Sequence, residues 1–251
     1  MRSAAAFIGL AALTLHSPAD AMVGGAPEAG ADGRSVVVIV GSRGSSCSGV
    51  ALARDLILTA GHCVVPGAEY KLVSYDTART PTLKDIATIA RHPEFDATAA
   101  ARHRVTADVA LLKLAAPLDA ATVTLAAPTR TGVGDSFTVI GAGVTTPGDG
   151  RTGGRARRAD LVATGQPGTL QVRLMDPETK NQRPGLGACT GDSGAPAFRM
   201  EGGQLAVAGI VSVATGAGNS AGCGGLTIVT PLTRYRDWIV TTARKLSSPV
   251  E

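Results

Sequence analysis

Eight short runs of β-branched and aliphatic residues, each closed off by turn formers, leave this chain little option but sheet. They are Ser35–Val40 (SVVVIV), Leu56–Thr59 (LILT), Ile86–Ala90, Val109–Leu114 (VALLKL), Ser136–Ile140 (SFTVI), Leu170–Leu174, Leu205–Val213 (LAVAGIVSV) and Leu226–Val229. Runs this brief suit strands and fall short of ordinary helices. The 32 glycines and 14 prolines among 251 residues supply the turns between them. Only Leu232 to about Leu246 carries a helical period, with Tyr235, Trp238, Ile239, Thr242 and Leu246 on one face and Pro249 beyond as a stop. The expectation is an all-β chain of two similar halves with one C-terminal helix, joined through the Ala/Pro-rich stretch Leu125–Thr131 (LAAPTRT).

The first 21 residues read as an address rather than as part of that fold. Met1-Arg2 starts basic, Ala4–Leu15 is apolar, Pro18 breaks the run, and Ala19-Asp20-Ala21 matches the A-x-A cleavage pattern of a secretory signal peptide. Cleavage after Ala21 gives a mature chain beginning Met22-Val23-Gly24-Gly25 and an extracellular or periplasmic location. No apolar run reaches the ~18 residues that a bilayer span needs. The net charge of +4 is small and scattered, so it argues for no nucleic-acid partner.

An oxidising destination decides how Cys47, Cys63, Cys189 and Cys223 are read: as two disulfides, not as a metal site, since none forms a C-x-x-C. Four cysteines allow three pairings, and sequence alone does not choose among them. The sequential pairing, 47–63 and 189–223, is favoured because it keeps each bridge within one half.

Three local patterns carry chemistry. In Leu58-Thr59-Ala60-Gly61-His62-Cys63 a histidine ends an apolar strand within a small-residue turn. With His16 lost to the leader, a histidine base must be His62, His92 or His103. In Thr190-Gly191-Asp192-Ser193-Gly194-Ala195-Pro196, glycines on both sides of Ser193 permit a tight turn whose N–H groups outline an oxyanion hole. Asp108, directly ahead of VALLKL, is either an ordinary strand-start residue or a buried carboxylate that orients an imidazole.

The order His62…Asp108…Ser193 is that of one class of triad hydrolases and of no other common one. With the words LTAGHC, DVALLKL, GDSGAP, the MVGG start, HPEFD at His92–Asp96, GIVS at Gly209–Ser212 and the terminal RDWI, the chain resembles the secreted trypsin/chymotrypsin-like serine endopeptidases, in their bacterial-type form with two disulfides. The resemblance implies two packed six-stranded antiparallel β-barrels. The first, over 22–127, carries His62 and Asp108; the second, over 128–251, carries Ser193 and a helix at about 233–246. It implies Ser193 as nucleophile, His62 as general base and then acid, and Asp108 as the group that orients the imidazole. Gly191 and Ser193 would donate to the oxyanion, and Ser212 would bond near Asp108. His92 falls on a structural position and His103 on a surface loop. Protein and peptide substrates, a monomer, and no cofactor or metal are implied; residues 69–76, where some relatives bind calcium, lack an adequate acidic cluster.

The same resemblance implies that the freed Met22 amine pairs with Asp192, so that removal of the leader is itself the activation step. Gly187, six before Ser193, falls at the base of the primary specificity pocket, with Ser212, Val213, Ala214, Gly224 and Gly225 in its walls. An uncharged base disfavours Lys and Arg, and the Ala214 methyl at the entrance disfavours large aromatics. The expectation is a small or medium apolar residue before the scissile bond. The rival is a non-catalytic binding or adhesion protein on the same fold, using the arginines of Arg151–Arg158 (RTGGRARR).

Overall fold

The computed structural model describes residues 22–250 except 76–79, 100, 101 and 103. The leader reading and His103 therefore lie outside the described residues. Two closed antiparallel barrels of six strands each account for most of the chain, as the resemblance implies. The first comprises β1 (Val36–Gly41), β2 (Ser46–Ala53), β3 (Leu56–Thr59), β4 (Tyr70–Tyr75), β5 (Pro81–Arg91) and β6 (Ala110–Leu114), in the order β1-β2-β3-β6-β5-β4. The second comprises β7 (Ser136–Gly141), β8 (Arg157–Thr164), β9 (Val172–Met175), β10 (Pro196–Glu201), β11 (Gln204–Ala214) and β12 (Thr227–Pro231), in the order β10-β11-β12-β9-β8-β7.

Every run read from the sequence falls on one of these strands. Four strands were not among them: β2, β4, β8 and β10. β2 reads SCSGVALA, whose small residues carry little hydrophobic signal although six of its eight positions are buried. In β8 the inward-facing series begins with Arg157, a charged residue where an alternation search expects an apolar one. β10 starts inside the glycine-rich turn that follows Ser193.

The core is shared between the barrels. Leu56, Ile57, Leu58, Leu111 and Leu112 of the first barrel belong to one cluster with Ile140, Phe198, Val207 and Ile210 of the second. The sharing explains why LILT is buried at all four positions instead of alternating: its outward face meets other protein, not water. The connection at Leu125–Thr131 is likewise not loose. Leu125 bridges Val207, and the Ala126 N–H donates to the Val207 carbonyl. The terminal segment is a 3-10 turn at Leu232–Arg234 followed by α1 (Arg236–Lys245), which buries Ile239 and Ala243 in the shared cluster. Beyond it, the Ser248 hydroxyl donates to Asp55 Oδ1 while Lys113 Nζ holds Asp55 Oδ2, both at 2.6 Å, fastening the chain end to the first barrel.

Strand register positions the chemistry. Thr59 pairs with Ala110, so the residues after Thr59 and those before Ala110 emerge at the same end of the barrel. Pro196 pairs with Ile210, and the Gly194 N–H donates to the Val211 carbonyl, bringing Ser193 beside Ser212.

Leu111 is wholly buried and Leu83 is 55% exposed. Leu111→Ala is expected to cost about 2–5 kcal/mol by leaving a cavity in the shared core, and Leu83→Ala less than about 0.5 kcal/mol; urea unfolding of both checks the contrast.

Candidate active site

The turn after β3 is built to hold one side chain outward. A 3-10 turn spans Gly61–Val64, and the Cys47–Cys63 disulfide fastens it to β2. Gly61 lies under the Phe95 ring, where a Cβ would come within 2.9 Å of it. His62 is the exposed member of this turn. Its backbone N–H donates to Asp108 Oδ1 at 2.9 Å, and its Nδ1 meets Asp108 Oδ2 at 2.8 Å. The Ser212 hydroxyl donates to the same Oδ2 at 2.6 Å.

Asp108 is buried and takes three donors, two of them from His62. Burial works to raise its carboxyl, yet hydrogen bonds from the His62 ring, the imidazole charge, the Ser212 hydroxyl and the His62 N–H together hold it below the ordinary carboxylate range. A carboxylate that stays ionised fixes the imidazole with its proton on Nδ1 and its lone pair on Nε2. Nε2 is the atom left for a reacting group; it lies 3.9 Å from Cys63 Sγ, and no hydrogen bond joins it to the Ser193 hydroxyl. Such bonds commonly tighten only when substrate arrives.

The Ser193 turn is locked from below by Ser48, which the sequence reading did not single out. The Ser48 N–H donates to the Ser193 carbonyl at 2.7 Å, and its hydroxyl donates to the Gly191 carbonyl at 2.9 Å while accepting from the Ala142 N–H. Gly194, at φ 81°, has room for no side chain: a Cβ there would fall 2.2 Å from both the Ser48 carbonyl and Thr59 Oγ1. Within the turn, the Asp192 N–H bonds to Cys189 and the Ala195 N–H to Asp192. The Gly191 and Ser193 N–H groups have no partner among the described residues. Unpaired donors in a built turn are rare and available to an incoming oxygen.

Asp192 points away from Ser193, into a cradle made by Gly141 and Gly143. Its Oδ1 accepts from the Gly143 N–H at 2.8 Å and its Oδ2 from the Cys189 N–H at 2.9 Å. A Cβ on Gly141 would lie 2.1 Å from Oδ1. The Gly-Ala-Gly at 141–143, which carries no local signal in the sequence, thus gains its meaning from Asp192. Asp192 is wholly buried with no cation among the described residues, and that burial pushes its carboxyl up to about 7 against the two hydrogen bonds. Met22 is also wholly buried, in the cluster that fills the second barrel, and holds φ 47°. Val23 bridges Gly187 through a 3.1 Å bond from its N–H to the Gly187 carbonyl.

The expected pocket residues fall into two groups. Ser212 and Val213 line a cleft of about 580 Å3 that also contains His62, Phe95, Val105 and Gln171. Gly187 is buried and does not line that cleft: a Cβ on it would meet the Gly224 Cα at 3.2 Å and Thr227 Oγ1 at 3.4 Å. Thr227 pairs with Ala214 and accepts from the Ala188 N–H, so it ties the strand of Ala214 to the segment after Gly187. No sequence signal marked it, because it follows Gly225 by two residues and only the β11/β12 register brings it round. Gly225 sits where a Cβ would strike the Gly216 carbonyl at 2.0 Å, and the Cys189–Cys223 disulfide closes the same region.

Other candidates are absorbed elsewhere. His92 accepts from the Glu94 N–H and packs edge-on against Tyr235 at 5.0 Å and tilted against Trp238 at 4.9 Å; burial lowers its pKa, and it braces the loop before Asp108. Of the Arg151–Arg158 arginines, Arg155 and Arg157 face Glu28, Arg158 faces Asp32 and Asp160, and Arg151 pairs locally with Asp149; Arg151 and Arg155 are exposed, Arg158 is half-buried and Arg157 is buried. The sole cluster of metal-type side chains among the described residues, Cys47, His62 and Cys63, has both sulfurs in a disulfide. No helix among them is long and apolar enough to cross a membrane.

A family model described as Trypsin matches residues 22–239. The search of curated proteins returned no match.

Asp192 titrates near 7 folded and near 3.8 unfolded, so its contribution to stability is full below about 3.8 and is lost as pH rises through about 7. In the chain with the Ala21–Met22 bond intact, stability is expected to fall between pH 5 and pH 8 by more than in Asp192→Asn. Parallel urea midpoints for the two proteins would contradict the assignment.

Proposed function

We propose, from the fact that the chain belongs to the trypsin family, that it is a secreted serine endopeptidase acting through Ser193, His62 and Asp108. The observation that carries this reading is the unbroken set of bonds from His62 through Asp108 to Ser212, beside a Ser193 turn that leaves the Gly191 and Ser193 N–H groups unpaired.

The chemistry follows from those positions. His62 Nε2 takes the Ser193 hydroxyl proton as Oγ attacks the peptide carbonyl carbon, and the carbonyl oxygen becomes an oxyanion. The Gly191 and Ser193 N–H groups donate to that oxygen, each worth about 3 kcal/mol of barrier. His62 then gives the proton to the departing amine, leaving an acyl group on Ser193. A water, deprotonated by the same imidazole, attacks the acyl carbon; the acid leaves and Ser193 recovers its proton. Asp108 keeps the imidazole in register and favours its charged form throughout.

Activation follows from the electrostatics of Asp192. A wholly buried carboxylate without a cation is costly, and a Met22 amine freed by cleavage after Ala21 supplies one. Removing one partner of such a buried pair costs about 3–5 kcal/mol. Backbone strain points the same way. A left-handed φ at an L residue costs about 1–2 kcal/mol, and at Met22 that torsion exists only while the bond to Ala21 is intact. Cleavage by signal peptidase would thus relieve strain and pair the charge in one step, outside the cytoplasm, with no further propeptide.

Specificity rests on an uncharged pocket base at Gly187, narrowed by Thr227 and by the Ala214 methyl. Nothing there pairs with Lys or Arg, and small or medium apolar residues fit. Hydrolysis of a mixed peptide library by protein beginning at Met22, beside a Ser193→Ala control, tests both parts. Cuts after Ala, Val, Leu or Thr that vanish in the control are expected. With Ala214→Gly/Thr227→Gly, cutting after Phe relative to Ala is expected to rise about 10–200-fold. Cuts after Lys or Arg would refute the pocket assignment, and serine-independent cleavage the mechanism.

A further inference from the structure

The arginine-rich segment before and within β8 meets a part of the chain that has no role in the chemistry above. Residues 27–29 pair with it through an isolated antiparallel bridge, just ahead of the 3-10 turn at Gly30–Ser35. The Ala29 N–H donates to the Ala156 carbonyl and the Arg158 N–H to the Pro27 carbonyl, each at 3.0 Å, with Glu28 and Arg157 as the bridged pair. Side chains add to this backbone pairing. Arg155 reaches Glu28 Oε1 at 3.1 Å, Arg157 reaches the same oxygen at 3.5 Å and the Ala26 carbonyl at 3.4 Å, and Arg158 reaches Asp32 at 3.5 Å. Arg157 is among the few buried charged residues, which is unusual for a surface ion pair. Gly33 completes the fit, since a Cβ there would sit 2.7 Å from that of Ala156.

We propose that Glu28 and Arg157, with Arg155, Asp32 and Arg158 around them, form a clasp that positions the Met22 end of the chain over Asp192. The inference rests on the activation reading given above. Three residues separate the clasp at Ala26 from Met22, and Val23 and Gly24 are themselves pressed against Gly187 and Gly185, where a Cβ on Gly24 would lie 2.3 Å from the Gly185 carbonyl. With residue 26 fixed to the second barrel, the freed amine searches only the volume that a few residues span. Without the clasp, the whole segment up to the 3-10 turn at Gly30–Ser35 would have to be ordered by the Val23–Gly187 bridge and the amine–carboxylate pair. Glu28, Asp32, Arg155, Arg157 and Arg158 are positioning residues: none touches the reacting atoms.

Docking linked to an amine has a signature in pH. A paired amine has its pKa raised above the ordinary ~8 of a chain terminus, so docking is complete below that value and is lost as pH rises through the raised one. Each tenfold weakening of docking moves the alkaline midpoint of activity down by about one pH unit. The charged groups facing the clasp are Glu28, Asp32, Arg34, Arg155, Arg157, Arg158 and Asp160; those facing the Asp192 cradle are, among the described residues, Asp192 alone.

The test is the alkaline limb of kcat/KM on a peptide substrate, using protein beginning at Met22. Glu28→Gln and Arg157→Gln are expected to lower its midpoint by about 0.3–1 unit, with Arg157→Lys between Arg157→Gln and the parent. Activity near pH 6 should change little. Raising salt should lower the parent's midpoint and leave that of Glu28→Gln in place, because these charges are partly exposed. Asp85→Asn, which removes an exposed pair with Lys71 in the first barrel, should leave the midpoint unchanged. An unmoved midpoint in folded, active Glu28→Gln overturns the clasp, as does a loss of thermal stability with the limb in place, or a control that shifts equally. If Arg157→Gln fails to fold, Glu28→Gln, an exposed position, decides alone. A failure of the underlying reading looks different: Asp192→Asn would then keep full activity and the parent's alkaline limb.

Discussion

A carboxylate sealed in a glycine cradle governs the front of the second barrel. Asp192 is wholly buried, bonded only to the Gly143 and Cys189 N–H groups, and faces no cation among the described residues. Holding it there forces the Ser193 turn to present its free N–H groups to the opposite side, because the Asp192 N–H and carbonyl are spent on Cys189 and Ala195. It also requires Gly141, Gly143 and Gly191 to lack side chains, and it makes the fate of the Met22 end an electrostatic question as much as a packing one. The energetic logic is that of any buried ion: tolerable when paired, costly when alone.

The two barrels contribute through their shared wall. The β3/β6 register delivers His62 and Asp108 to one end of the first barrel, and the β10/β11 hairpin delivers Ser193 and Ser212 from the second. Ser48 stands at the join, belonging to the first barrel by strand and to the Ser193 turn by every hydrogen bond it makes there. The Ser212 to Asp108 bond crosses the same boundary. Neither half holds a complete site.

Much of this was legible in the residues. LILT, VALLKL and LAVAGIVSV are strands because aliphatic runs that short have few other uses, and the His62–Asp108 contact joins two words, GHC and the aspartate before VALLKL, that the sequence already marked. What stayed hidden depends on partners distant in the chain. Thr227 matters only because β12 pairs with β11, and Ser48 only because the second barrel sits on it. Gly-Ala-Gly at 141–143 is unremarkable until Asp192 fills the space. The arginines of 155–158 find matching charges in Glu28 and Asp32, more than a hundred positions earlier. Charge complementarity at that range leaves no local pattern.

The most direct test of the account is covalent. A fluorophosphonate ester phosphonylates a serine, with loss of fluoride, only when a base, a positioned hydroxyl and an oxyanion site act together. Protein beginning at Met22 and protein beginning at Met1 should be treated with it and the adduct located by mass spectrometry. The account requires stoichiometric labelling of Ser193 in the first, and labelling slower by about 10²-fold or more in the second, since an unpaired Asp192 costs about 3–5 kcal/mol. Equal rates in the two forms, or a label on any other residue, would contradict it.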